Sequence, residues 1–226
     1  MNHISEFIDH TLLKPDSVYG DYTNLCREAI EYKFYSVCVN SFYVPLVSRF
    51  LRDIEHDHKV KVCSVVGFPL GLSSIISKLT ETNDAISNGA TEIDVVVNIS
   101  ALKSGDYKRV KDELRVLKDL TKENILKVIL EVGLLTEEQI KIGCELCIET
   151  NVDFVKTSTG FNVKLPIEET AQHVKLIKEF LKGSNLKIKA SGGIKTLSDV
   201  QLMLQSGADR IGTSNSVSIM KELEGE

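Results

Sequence analysis

The stretch Glu92-Ile93-Asp94-Val95-Val96-Val97-Asn98, with its apolar run Ile93–Val97, is followed by an amphipathic segment, Tyr107–Leu120, and then by a second apolar run, Val128–Val132. Together they read as strand, helix and strand. The runs are nearly continuous in apolar, β-branched residues rather than alternating, the pattern of parallel strands buried on both faces. Working outward, similar runs lie at Tyr35–Val39, Val60–Val66, Val152–Val155, Leu186–Ala190 and around Arg210–Ile211, and Phe7–Thr11 supplies one more at the start. A further amphipathic stretch spans Ile167–Leu181. Helix starts are chemically marked: Thr136 precedes Glu137 and Glu138, and Thr196 stands three residues before Asp199, at capping-box spacing. Eight strands spaced by about 28 residues fit one (β/α)8 barrel over residues 1–226, near the lower end of that fold's size range. The alternative is an open doubly wound sheet. No linker, low-complexity segment, charge block or long crossover interrupts the rhythm, which favours the barrel.

The formal net charge of −5 excludes a nucleic-acid binder, which needs clustered Lys and Arg. The first residues carry no apolar core of a signal peptide, and no apolar run approaches the roughly 18 residues of a membrane span. Five cysteines, an odd number in a chain too large to need staples, suggest reduced thiols. A cytoplasmic protein is therefore expected.

In a (β/α)8 barrel the chemistry sits at the carboxyl ends of the strands. Polar residues inside or just after the apolar runs are thus the candidates. Lys156, in Val155-Lys156-Thr157-Ser158-Thr159-Gly160, ends a buried strand. Desolvation there disfavours its charge, and a neutral amine is what attack on a carbonyl requires. A lone lysine at a strand end also reads as one snorkelling to the rim. Lys189, in Lys187-Ile188-Lys189-Ala190-Ser191-Gly192-Gly193, sits at matching depth on the next strand, about 4.8 Å away. A second cation so close depresses an amine further, and packing does not explain two lysines at one depth. Lys187 reads as solvated at the bottom rim. Asp94 is a carboxylate inside a buried strand, so it either pairs with a lysine or moves protons. Cys38 and Asn40 share a parity on another strand and would line the same mouth. At the first strand Asp9, His10 and Thr11 are equally placed to do so.

Small residues follow the last two strands: Ser191-Gly192-Gly193, and Gly212-Thr213-Ser214-Asn215-Ser216. They let backbone N–H groups approach an anion at a helix N-terminus, where such barrels often bind phosphate; plain turn chemistry is the other reading. Cys144 and Cys147 form a C-x-x-C inside the helical stretch Glu137–Glu149, not at a helix start, and read as packing. His56 and His58 flank Asp57 in a charged segment and read as a solvated turn. No metal-ligand cluster is visible, which argues against a zinc-dependent aldolase.

Taken in order along nearly the whole chain, these residues resemble the deoxyribose-phosphate aldolases, class I enzymes. The resemblance rests on Asp9-His10-Thr11-Leu12-Leu13-Lys14-Pro15, Val37-Cys38-Val39-Asn40, Val66-Gly67-Phe68-Pro69-Leu70-Gly71, Glu92–Asn98, Lys156-Thr157-Ser158-Thr159-Gly160, Lys189-Ala190-Ser191-Gly192-Gly193 and Arg210-Ile211-Gly212-Thr213-Ser214. It implies reversible cleavage of 2-deoxyribose 5-phosphate to acetaldehyde and glyceraldehyde 3-phosphate, without cofactor or metal. Lys156 would form the imine, and Lys189 would tune it and assist proton transfer. Asp94 would relay protons, with a water held near Thr11. Gly192, Gly193, Gly212 and Ser214, with the backbone at Thr213, would cradle the phosphate. The partners implied are a small sugar phosphate and an aldehyde; a homo-oligomer is left open. Two departures stand out. Phe161 occupies the place where some members carry a phosphate-holding lysine, and the chain ends Glu224-Gly225-Glu226 where some end in a tyrosine. Two rival readings are a related aldolase for another sugar phosphate and a non-catalytic sugar-phosphate sensor, which would tolerate loss of Lys156, Lys189 or Asp94.

Overall fold

The computed structural model describes residues 4–54 and 60–225; His56 and His58 lie outside them. Eight parallel strands close in sequence order: β1 Ile8–Leu12, β2 Ser36–Asn40, β3 Lys61–Val66, β4 Glu92–Val96, β5 Ile125–Ile129, β6 Phe154–Lys156, β7 Lys187–Ser191 and β8 Arg210–Thr213. β8 returns to β1, with Asp9 beside Gly212. Helices alternate with the strands: α1 Tyr19–Glu31, α2 Val44–Ile54, α3 Ile75–Ser87, α4 Ile99–Lys103, α5 Tyr107–Leu120, α6 Glu137–Glu149, α7 Ile167–Phe180, α8 Leu197–Ser206 and α9 Ser216–Glu224. The expected (β/α)8 barrel is the observed fold, and the open sheet is not. Among the described residues no helix is long and apolar enough to cross a membrane.

The main apolar core lies between the strands and the ring of helices. It joins outward strand residues such as Ile93, Val95 and Ile211 to Leu114, Leu117, Val174 and Met203 of the helices. Among the described residues the barrel interior holds a small apolar group, Leu13, Cys38, Cys63 and Val65. Beside it lie buried ionic side chains and Phe154, against which Arg210 rests.

Most strands lie within one residue of the sequence expectation, and two are displaced further. β5 runs Ile125–Ile129, not Val128–Val132. After Leu130 the chain turns: Glu131 adopts a left-handed φ of 61°, and Val132–Leu134 form one 3-10 turn. The apolar run continues into this turn because its first residue, Val132, is itself buried, whereas Lys127, which interrupts the pattern, lies mid-strand and points inward. β6 is likewise displaced, to Phe154–Lys156, so that it ends on Lys156.

The helix starts follow local chemistry. Thr136 Oγ1 accepts from the Gln139 N–H (3.3 Å) while Gln139 Oε1 accepts from the Thr136 N–H (3.0 Å). Thr196 and Asp199 make the same reciprocal pair at the start of α8. Cys144 and Cys147 are buried in α6, where burial pushes the first thiol up to about 12 and the second well above its usual value. That agrees with a packing role.

One ionic contact fastens the helix layer to the barrel. Lys78 of α3 is fully buried; it donates to Val96 O at the end of β4 (2.8 Å) and to Glu113 of α5 (2.7 Å). Burial pushes the Lys78 ammonium down and the Glu113 carboxyl up from their ordinary values, so the pair depends on close mutual contact. Glu113→Ala strands the cation and lowers stability by about 3–5 kcal/mol. Thr136→Ala, which removes one helix cap, costs about 1 kcal/mol. Urea unfolding midpoints of the two variants check both values.

Candidate active site

Strand register sets the depth of every inward side chain. Lys156 and Lys189 are Cα partners across β6 and β7, and Asp94 and Lys127 are partners across β4 and β5. These four side chains meet on the barrel axis. Asp94 Oδ2 accepts from Lys156 Nζ at 2.8 Å and from Lys189 Nζ at 2.7 Å. Its other oxygen, Oδ1, accepts from Lys127 Nζ at 2.8 Å and from the Cys63 thiol at 3.1 Å. The Lys156 side chain is 4% exposed, while Lys127, Lys189 and Asp94 are wholly buried. Lys156 is therefore the amine of this group that meets the mouth.

A second ionic layer lies beneath. Asp9 Oδ1 accepts from Arg210 Nη1 (2.9 Å) and from the Ser36 hydroxyl (2.7 Å), and Asp9 Oδ2 contacts Lys189. Glu92 Oε2 lies 2.5 Å from Lys127 Nζ as an ion pair without hydrogen-bond alignment, and 3.5 Å from Arg210. The Arg210 guanidinium stacks 3.4 Å above the Tyr35 ring and closes the barrel floor.

Burial alone would raise the Asp94 carboxyl, but Lys127, Lys156 and Lys189 outweigh it and hold it well below the usual carboxylate range. Asp9 is held low in the same way, by Lys189, Lys127 and Arg210 against its burial. Burial would lower Lys127; Asp94, Cys63, Glu92 and Asp9 reverse that and raise it well above normal. Lys189 is raised against its burial by Asp9 and Asp94. Asp9, Asp94, Lys127 and Lys189 thus hold one another in their charged forms.

The structure brings together Lys156, Lys189 and Asp94. It settles the choice at β1: Asp9 and Thr11 face inward, whereas His10 points out to Glu28 of α1 (2.8 Å) and packs on Phe34. Thr11 is half-buried at the upper end of β1, its hydroxyl on Asp9 O, and it is the Cα partner of Cys38. Cys38 is buried beside Cys63. Asn40 stands higher, at the end of β2, and donates to Leu13 O (3.3 Å). Lys187 is exposed at the bottom rim, as expected.

Lys127, Glu92, Arg210 and Cys63 were assigned no role from sequence. Glu92 was visible by parity, two residues from inward Asp94; Arg210 was not, because Gly212 read as a loop residue. Lys127 was hidden by the misplaced start of β5. The donor atoms of Cys38, Cys63 and Asp94 lie within 4.8 Å of one another, a grouping absent from the sequence reading because it spans β2, β3 and β4. Three ammonium groups already occupy the Asp94 oxygens, and their charge opposes a further cation there.

The expected anion loops lie above Lys189. Gly192 and Gly193 follow β7 with φ of 94° and 76°, a left-handed region that favours glycine. A Cβ on Gly192 would stand 3.3 Å from Ser158 Cβ, so the loops after β6 and β7 touch here. Thr213 Oγ1 donates to Ile194 O (2.7 Å) and accepts from the Asn215 N–H, tying the last two loops together. Ser214 is exposed two residues before α9. Gly212 differs from its sequence reading as a loop glycine. It lies within β8, faces inward, and a Cβ there would meet Lys189 Cε at 3.0 Å and Ser191 Cβ at 3.1 Å. Its smallness makes room for Lys189. Phe161 is half-exposed and packs edge-on against Phe68 (5.1 Å). Buried Glu131, also without a role from sequence, accepts from the Thr159 N–H and hydroxyl and from Asn162 Nδ2 (2.8 Å), which also reaches Pro69 O (3.0 Å). This clasp holds the loop that follows Lys156.

Comparison with known proteins agrees with this geometry. The deoxyribose-phosphate aldolase of Brevibacillus brevis is 46% identical over 218 residues, covering 96% of this chain and 95% of its own. Among solved structures, an aldolase named QR15 superposes with a TM-score of 0.90 at 42% identity, covering all of this chain and 97% of its own. The deoxyribose phosphate aldolase of Aeropyrum pernix, described as a unique tetramer, superposes with a TM-score of 0.86 at 32% identity, over 99% of this chain and 92% of its own. Residues 5–218 match the DeoC/LacD family of aldolases, and the chain belongs to that family.

Proposed function

We propose that the enzyme reversibly cleaves 2-deoxy-D-ribose 5-phosphate to acetaldehyde and D-glyceraldehyde 3-phosphate through an imine on Lys156. The observation that carries this reading is the single carboxylate oxygen, Asp94 Oδ2, shared by the amines of Lys156 and Lys189. The unprotonated Lys156 amine attacks C1 of the open-chain sugar, and loss of water gives the protonated imine. The C3 hydroxyl gives up its proton as the C2–C3 bond breaks, and that electron pair flows into the imine. Glyceraldehyde 3-phosphate departs and an enamine remains. Protonation at its terminal carbon and hydrolysis release acetaldehyde and free Lys156. Asp94 and Lys189 move the protons within reach of the imine, with Thr11 at the mouth beside them.

The phosphate is held by neutral donors: the backbone around Gly192, Gly193 and Thr213 and the Ser214 hydroxyl, near the start of α9. Its binding energy, remote from C1, is available to the reacting centre. The structure adds a reason to choose the test residue with care: bulk at Gly212 strikes Lys189, so Ser214 is the cleaner probe. The five cysteines are all buried thiols without a disulfide, in keeping with a reducing cytoplasm. Self-association, as in the tetrameric Aeropyrum pernix protein, belongs to the same reading.

Incubation with acetaldehyde and borohydride should add one ethyl group at Lys156, located by peptide mass mapping. Label on Lys189 alone reverses the two roles, and no label at all favours a sensor. Asp94→Asn and Lys189→Leu should stay folded yet lose at least about a hundredfold in kcat, within the range of acid–base contributions. Near-normal rates would reduce both to structural partners.

Ser214→Asp should raise KM for the phosphorylated sugar by about tenfold or more, equivalent to about 1.4 kcal/mol, and leave free deoxyribose nearly unchanged. Equal losses on both substrates would remove the phosphate from this loop.

Activity should persist in EDTA. Loss on chelation with recovery on added zinc would refute the imine mechanism.

A further inference from the structure

Lys127 has no place in the reaction just described, yet it makes more ionic contacts than any other cation among the described residues. Its ammonium reaches Asp94 (2.8 Å), Glu92 (2.5 Å) and Asp9 (3.9 Å). Lys189 has two carboxylate partners, Asp9 and Asp94; Arg210 has two, Asp9 and Glu92. Lys156 has one, Asp94. The cluster therefore sets four cations against three carboxylates, one positive charge in excess. Buried charge that is not matched is costly, and of the four bases Lys156 has the fewest anionic partners.

We propose that Lys127 is a positioning residue that fixes the protonation of the reacting pair: it holds Asp94 by Oδ1, leaves Oδ2 to Lys156 and Lys189, and supplies the fourth cation that allows Lys156 to be neutral. This rests on the reading of Lys156 as the imine-forming amine. Lys127 touches no substrate, because it lies wholly buried beneath Asp94. It acts through Asp94 in two ways. Mechanically, an oxygen fixed at 2.8 Å by Lys127 prevents the carboxylate from turning to give each amine its own oxygen. Electrostatically, three cations against three carboxylates would pin every lysine in its charged form.

The groups that face Lys156 are Asp94 of β4 and Lys189 of β7 directly. Behind them stand Asp9 of β1, Glu92 of β4, Lys127 of β5 and Arg210 of β8, and the thiols of Cys38 and Cys63 line the wall of β2 and β3. Glu131 lies outside the cluster, engaged with Thr159 and Asn162. Lys127 and Glu92 can be altered without touching the reacting atoms.

The test is the pH dependence of borohydride trapping of acetaldehyde in four full-length proteins: wild type, Lys127→Met, Glu92→Gln and the double variant. Lys127→Met balances three cations with three carboxylates. Its acidic limb should move up by about one pH unit or more, with trapping at pH 7 reduced about tenfold. Glu92→Gln leaves four cations with two carboxylates, and its limb should move down. The double variant restores an excess of one, and its limb should return to the wild-type position. Thermal melts establish that each protein is folded. Should Lys127→Met fail to fold, the downward shift of Glu92→Gln and its reversal in the double variant carry the same test. Limbs that coincide in all folded variants, or a pH-independent loss not restored in the double variant, would overturn the role of Lys127. Absence of label on Lys156 in the wild type would instead overturn the imine reading on which it rests.

Discussion

A carboxylate closed off from water at the centre of a barrel must be matched, and Asp94 is matched by three lysines from three successive strands. That requirement organises the interior. Lys127, Lys156 and Lys189 occupy β5, β6 and β7 at depths that let their ammonium groups converge within 2.8 Å of Asp94. Register delivers this convergence: the Asp94–Lys127 and Lys156–Lys189 pairs are both Cα partners. Slippage by one residue in any of these strands would turn its cation outward into the apolar layer. The ionic centre therefore depends on strand pairing as much as on the residues themselves, and the small Gly212 beside Lys189 is part of the same fit.

The two polar layers divide their tasks. The lower layer, Asp9, Glu92 and Arg210 with Tyr35 beneath, seals the barrel floor. The upper layer presents a single amine, that of Lys156, to the mouth. Lys127 and Lys189 link the two, contacting carboxylates of both layers. Such an arrangement is a poor source of stability, since burying seven ionisable groups is costly however well they pair. Stability comes instead from the apolar layer between strands and helices, which leaves the barrel interior free for chemistry.

Much of this was legible in the sequence. The strand–helix rhythm, two lysines at one depth on consecutive strands, a carboxylate within an apolar run and the small residues after the last two strands are all local patterns. A buried parallel strand imposes its apolar signature over four to six residues, and an inward polar residue stands out against it. The capping pair at Thr196 is read at a spacing of three residues because the contact is made at that spacing; at Thr136 the acidic first turn was legible and the Gln139 partner was not.

What stayed hidden has one cause. Lys127 interrupts β5, so the apolar pattern was read from Val128 onward and the lysine fell outside the strand. Its place became clear only when the neighbouring strands fixed the register. Asp9, His10 and Thr11 were indistinguishable in the chain because parity is relative until a barrel gives it an inside. Gly212 reads as a loop residue until Lys189 is seen against it. The sequence by itself determined the elements, their order and the candidate amine and acid. The tertiary structure decided which acid pairs with which base, since those partners lie 33 to 201 residues apart and meet only where the barrel closes.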